Sequence, residues 1–181
     1  MFRDRRATRR RTMPSTLRYP RSGVGSPPIA ALLAEWRAAE RRWERHMPAA
    51  DVQLAALEVV RAFVAYQDAA LPADTREFLL IADDTQTYVG VTQGVTEVLG
   101  YQPEDVIGQR ISDLAAHDIR EATPAQWQAF LADGRQEGRF RLLTATGQPV
   151  PLLYQARAHH PIPGFHMSRL WPDEATKDVT G

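Results

Sequence analysis

Among the side chains here that can do acid–base or ligand chemistry near neutral pH, His159, His160 and His166 fall within eight residues of one another. Neutral imidazoles bind transition metals, and three so close together can meet across a strand turn. Their spacing matches no familiar metal motif, so they read as exposed turn histidines and no metal ligands are assigned. Carboxylates pair at Asp83–Asp84 and Glu104–Asp105, where turn and helix-start chemistry already accounts for them. Ser112 and Ser168 lack a nucleophile-elbow context, and no glycine-rich phosphate loop precedes a helix. With no cysteine there is no disulfide, thiolate ligand or Cys nucleophile. These residues do not build a catalyst, and a non-enzymatic role is expected.

The elements that would position these groups can be read from periodicity. Phe78–Ile81 is an apolar run of strand length, Asp83–Asp84–Thr85 is turn chemistry, and Thr87–Thr92 returns as a second strand. Residues 94–99 have a helical pattern with Gly100 as the stop. Pro103, Glu104 and Asp105 suit the first turn of a short helix, and Ile111 and Leu114 mark another. Thr123 is placed as an N-cap with Pro124 at the first helical position, ahead of Trp127, Phe130 and Leu131 on one face. Strands follow at 139–144, at 150–158 with one buried face, and at 165–170.

The stretch Leu99-Gly100-Tyr101, Pro103-Glu104, Ile107-Gly108 and Ile111-Ser112-Asp113-Leu114 is the most specific in the chain. Together with Gly138-Arg139-Phe140-Arg141 before a Gly-containing turn, it resembles a PAS domain, the small ligand-sensing and dimerising module of signalling proteins. The resemblance spans residues 78–171, about half of the chain. It implies an α+β fold: an antiparallel sheet of about five strands with short helices on one face, preceded here by an N-terminal helical pair. It also implies an apolar pocket between sheet and helices. By pattern Ile111, Leu114, Trp127, Phe130 and Leu131 would line the pocket from the helices, and Phe140, Leu142, Leu152, Tyr154 and Met167 from the sheet. All are ordinary core formers, which favours the competing reading of a closed core. No cofactor is assigned. Haem is disfavoured because the helix that supplies the proximal histidine in haem-binding relatives has none in residues 126–134, and His117 lies ahead of it. A small organic ligand stays open, whereas photochemistry that needs a reactive cysteine is excluded. Where the family often has Asn after the second strand, this chain has Thr92.

Two helices precede the module. Ile29, Leu32, Leu33, Trp36, Ala39, Trp43 and Met47 recur along one helical face, and Pro48 breaks the pattern and suits the start of the second helix. There Val52, Ala56, Val59, Phe63, Tyr66 and Ala70 keep four-three spacing until Leu71-Pro72. Two uses compete: packing within the chain, or the flanking-helix dimer that PAS domains commonly form. In the dimer the interface would be Trp36, Trp43, Val52, Val59, Phe63 and Tyr66.

Net charge is zero overall, yet residues 1–28 hold eight Arg and one Asp. A basic, Pro- and Gly-containing arm of this kind reads first as a solvated, disordered tail. Second, it reads as an arm for nucleic acid, because clustered Arg releases counterions from phosphates. Third, it reads as an organelle transit peptide. Met13 offers an alternative start that removes most of the arm. The division is then a 1–28 arm, helices in 29–71, a PAS-like domain in 75–172 and a polar tail in 173–181. Hydrophobic content of 44% with no apolar run of bilayer length, and no secretory h-region after the arginines, points to a cytoplasmic protein without a membrane. The expected function is a sensory and regulatory module acting through protein–protein interaction, with itself as homodimer and with a separate signalling protein. The alternatives are a nucleic-acid-associated regulator using the arm, and a small-ligand carrier or enzyme with a cone-shaped pocket. The last requires a buried acid or histidine of shifted pKa inside the pocket.

Overall fold

The computed structural model describes residues 27–44, 49–71 and 76–175. The basic arm, the break at Pro48, most of the second helix boundary at Pro72 and most of the polar tail therefore lie outside the described residues. Two long helices, α1 (Ile29–Trp43) and α2 (Ala49–Ala70), lead into the hairpin β1 (Phe78–Asp83) and β2 (Tyr88–Val91). Short helices α3 (Gly94–Leu99), α4 (Pro103–Val106) and α5 (Ile111–Leu114) follow, then a 3-10 turn at Arg120–Ala122 and α6 (Thr123–Asp133). The strands β3 (Arg135–Leu143), β4 (Pro149–Arg157) and β5 (Phe165–Pro172) complete an α+β fold. The five strands form one antiparallel sheet in the order β2-β1-β5-β4-β3, so the last strand inserts beside the first.

The turn chemistry does what its residues dictate. Asp83 Oδ1 accepts from the backbone N–H groups of Thr85 and Thr87, closing the β1–β2 hairpin. Gly100 takes the left-handed conformation (φ 78°) and its N–H returns to the Thr96 carbonyl, ending α3. Thr123, expected as an N-cap, is instead continuous with the 3-10 turn, and its hydroxyl donates to the Ile119 carbonyl four residues back.

The crossover from β2 to β3 ties down both edges of the sheet. At the β2 edge, Tyr88 N–H donates to the Gln109 carbonyl and Gly108 N–H to the Tyr88 carbonyl. At the β3 edge, Ala115 bridges Leu142 and Ala116 N–H donates to Arg141. Edge groups that would otherwise template aggregation are thus partly paired within the chain.

The sheet is covered on both faces. On the inner face, Phe78, Leu80, Val91, Leu142, Leu152 and Leu170 pack against Val95, Leu99, Val106, Leu114, Trp127 and Phe130 from the short helices. On the outer face, Leu79 and Ile81 pack against Val60, Phe63 and Val64 of α2, with Trp36 and Met167 around them. The closest approach is at Gly90. A Cβ there would lie 2.9 Å from Val64 Cγ2 and 3.0 Å from Val60 Cγ1, so the absent side chain is what lets α2 seat on the sheet. The helical pair therefore packs on the chain's own sheet, opposite the short helices.

Candidate functional site

A bulge starts the site. Ala82 pairs with Tyr88 and Ile81 with Gly90, which leaves Val89 as the extra residue. Tyr88 and Val91 can then both join the inner-face core while Val89 and Gly90 meet α2. Tyr88 ends up 5% exposed against a cavity of about 80 Å³ between the sheet and α6.

The cavity has two aromatic walls. Trp127 and Phe130, spaced i and i+3 on α6, stand 5.6 Å apart, and the His166 ring meets Trp127 edge-on at 4.9 Å. Opposite them Phe140 of β3 and Tyr154 of β4 form a second edge-to-face pair. Leu80, Ile111, Leu142 and Leu170 supply aliphatic surface; Ser168, Gln136 and Thr123 supply polar atoms, and exposed Gln126 lies on the rim.

His166 is the polar centre of this layer. It is 2% exposed, on the inner face of β5. Its Nε2 lies 2.9 Å from Asp84 Oδ1, and its Nδ1 accepts the backbone N–H of His159 at 3.3 Å. An acceptor role at Nδ1 places the proton on Nε2, donated to Asp84, so the neutral ring is satisfied at both nitrogens. Burial holds its pKa below the ordinary histidine range, against the opposing pull of the Asp84 hydrogen bond and charge. The expectation of exposed turn histidines is thus corrected for His166. Of the trio only His159 and His166 come together, their rings 5.1 Å apart, while His160 sits edge-on to Phe63 and His117 is exposed. Among the described residues no group of three or more His, Cys, Asp or Glu could hold a metal ion.

Ser168, His166 and Asp84 carry the residue types of a hydrolytic triad, but the geometry differs. Asp84 and the His159 N–H occupy both ring nitrogens, so no lone pair faces Ser168. The condition set for a carrier or enzyme, a buried histidine of shifted pKa in the cavity, is met by His166, yet it presents no free nitrogen to a substrate.

Of the ten residues expected to line a pocket, Ile111, Trp127, Phe130, Phe140, Leu142 and Tyr154 do so. Leu114 and Leu152 are sealed in the core, and Leu131 packs half-buried against it. Met167 lies on the opposite face, against α2. Its neighbours His166 and Ser168 face the cavity in its place, and sequence reasoning missed them together with Tyr88. Strand parity is the physical reason: a one-residue shift exchanges the two faces. The apolar Met167 was the natural choice for an inner position, but the inner positions of β5 are His166, Ser168 and Leu170.

The residues assigned to a dimer surface divide. Val59 and Phe63 are sealed between α2 and the rest of the chain. Trp36 meets the Phe63 ring edge-on at 4.9 Å and stacks on Tyr66 at 5.5 Å. Trp43 packs half-buried beside them, and Val52 is exposed. Among the described residues, the large apolar side chains the pair leaves outward are Ile29, Val52 and Leu54. No described helix is long and apolar enough to cross a membrane.

Thr92, where an Asn was the familiar residue, makes a polar contact of its own. Its buried hydroxyl accepts the Leu79 N–H at 2.7 Å while its own N–H returns to the Leu79 carbonyl at 3.1 Å.

No family model matches this chain, and no curated protein does. Solved structures do. The chain is similar to the PAS domain of a protein from Colwellia psychrerythraea, with 15% identity over 54% of this chain and 86% of that one and a TM-score of 0.49. It is also similar to a PAS domain from a two-component sensor histidine kinase, with 10% identity over 55% of this chain and 86% of that one and a TM-score of 0.47.

Proposed function

We propose that this chain is a sensory and regulatory signalling module in which the state of the inner cavity is communicated to the α1–α2 pair and read there by protein–protein contact. The observation that carries the reading is the alternation along the strands shared by both layers. On β5, His166 and Ser168 line the cavity while Phe165 and Met167 touch the layer under α2. On β1, Leu80 and Ala82 line the cavity while Leu79 and Ile81 carry α2. Because packed layers shift as units, a change in inner-face occupancy moves the groups on which α2 rests. The resemblance of residues 78–171 to PAS domains supports the same role. A second copy of the chain is the first partner, covering Ile29, Val52 and Leu54, and a separate signalling protein is the onward receiver.

Amide hydrogen exchange on the full chain tests this. Ala82→Val adds bulk to the cavity wall without touching the helical pair. Exchange protection in α2 changes severalfold if the layers communicate, whereas protection altered only in β1, β5 and α6 contradicts the reading. Native mass spectra of the same samples report self-association, and a bare monomer throughout removes the second copy as partner.

A further inference from the structure

Outside that cavity, where β3 begins and β4 ends, we infer that a polar cleft takes a phosphate group, either free phosphate or the monoester of a small molecule. The cleft, about 310 Å³, is lined by Gly134, Arg135, Arg157, Ala158, His159 and His160. Strand pairing sets Arg135 directly opposite Arg157. Arg157 in turn pairs with Met167, which packs on the layer under α2, so both arginines stand on the outer face of the sheet. Like charges directly opposite on neighbouring strands, with Cβ atoms about 5 Å apart, destabilise the pairing. The other arginines of the sheet are neutralised: Arg139 holds Asp173, Arg141 holds Asp118 and Arg169 holds Glu77. Arg135 and Arg157 have no ion-pair partner among the described residues, although Glu137 shares their face of the sheet and Asp133 ends α6 beside them. A bound anion between the two guanidinium groups relieves their repulsion.

The histidines of the cleft add donors. His159 Nδ1 accepts the Gly164 N–H at 3.4 Å, which leaves Nε2 as the protonated, donating nitrogen. His160 is half-buried, and burial and the charge of Arg157 hold its pKa below the ordinary range against the opposing pull of Glu40 on α1. It is therefore neutral near pH 7 and gains a proton readily once an anion offsets Arg157. The number of donors decides the ligand class. A carboxylate, with two oxygens and one charge, is satisfied by a single guanidinium. A phosphate group carries three terminal oxygens and about −1.5 to −2 charges, so it uses both arginines and an imidazole together. Because the His160 ring also meets Phe63 of α2 edge-on at 5.1 Å, the occupied cleft adjoins the helical pair.

The probes are inorganic phosphate, phenyl phosphate and acetate, titrated by NMR into the full chain at constant ionic strength. The phosphates are expected to shift the amides of residues 134–135 and 157–160, to bind about tenfold more tightly than acetate, and to move the His160 titration to higher pH. Arg135→Gln and Arg157→Gln, both at exposed positions, should each weaken phosphate about tenfold, while Arg61→Gln, an exposed arginine on α2, should leave it unchanged. Phenyl phosphate binding more tightly than phosphate assigns the site to a monoester, and equal or weaker binding assigns it to free phosphate. Acetate matching phosphate, an equal loss in Arg61→Gln, or no phosphate-dependent shifts at the cleft would each overturn the site. Those failures are separable from failure of the module reading, because the Ala82→Val exchange experiment needs no anion.

Discussion

The two faces of the sheet are packed to different standards. Against the outer face α2 fits so closely that position 90 has no room for a side chain, and Phe63, Val60 and Val64 are sealed there. Against the inner face α6 stands off, leaving a cavity bordered by the buried Tyr88 and His166. Both layers rest on the same two strands, β1 and β5, through alternate residues. The contrast separates two tasks: the close face transmits position, and the loose face accepts change.

The comparison breaks most visibly at its tight side. Phe63→Ala empties a sealed site touching Trp36 and His160 and should cost about 4 kcal/mol, while Ile111→Ala, at a wall already bordering space, should cost about 1.5 kcal/mol. Denaturant unfolding of both variants measures the difference, and equal losses would mean that the faces are packed alike.

A smaller effect of opposite sign comes from Asp68, near the end of α2. Its Oδ1 accepts the Gln93 N–H at 2.7 Å, pinning the helix to the segment between β2 and α3. Burial raises its pKa from 3.8 to about 6, with that hydrogen bond opposing. A raised carboxylate pKa means the folded state binds the proton more tightly, so stability falls as pH climbs from about 4 to about 6 and the penalty is complete at neutrality. Asp68→Asn keeps an acceptor for Gln93 and removes the ionisation. It should add about 1 kcal/mol at pH 7, a figure discounted for partial exposure, and nothing below pH 4. Urea unfolding at pH 3.5, 5 and 7 reads this. A variant no more stable than the parent at pH 7 would show that the charge is already solvated.

Much of the fold was legible because its signals are local. The turn at Asp83, the stop at Gly100 and the alternation of β4 each follow from a residue and its immediate neighbours. The site was only half legible. Aromatic residues on α6 and β3 declare their burial through hydrophobicity, but which side chains of β5 face inward depends on pairing with β1 and β4. A polar His166 gives no hydrophobic sign of being inside. Its burial depends on Asp84, eighty-two residues away, and on the backbone N–H of His159. Tyr88 turns inward beside Val91 because of the Val89 bulge, which pairing creates and composition does not announce. Likewise the heptad spacing of α2 showed an apolar face without saying what would cover it; Gly90 is the reason that the sheet does.

The most direct test of coupling between the faces is a double-mutant cycle pairing Ala82→Val on the cavity side with Val60→Ala on α2. Stabilities of the parent, both single variants and the double variant are measured by denaturant unfolding. Coupled faces give a non-additivity of at least about 0.5 kcal/mol, because each substitution changes the seat on which the other acts. Additivity to within about 0.3 kcal/mol would mean that the two layers behave independently, and would contradict the account.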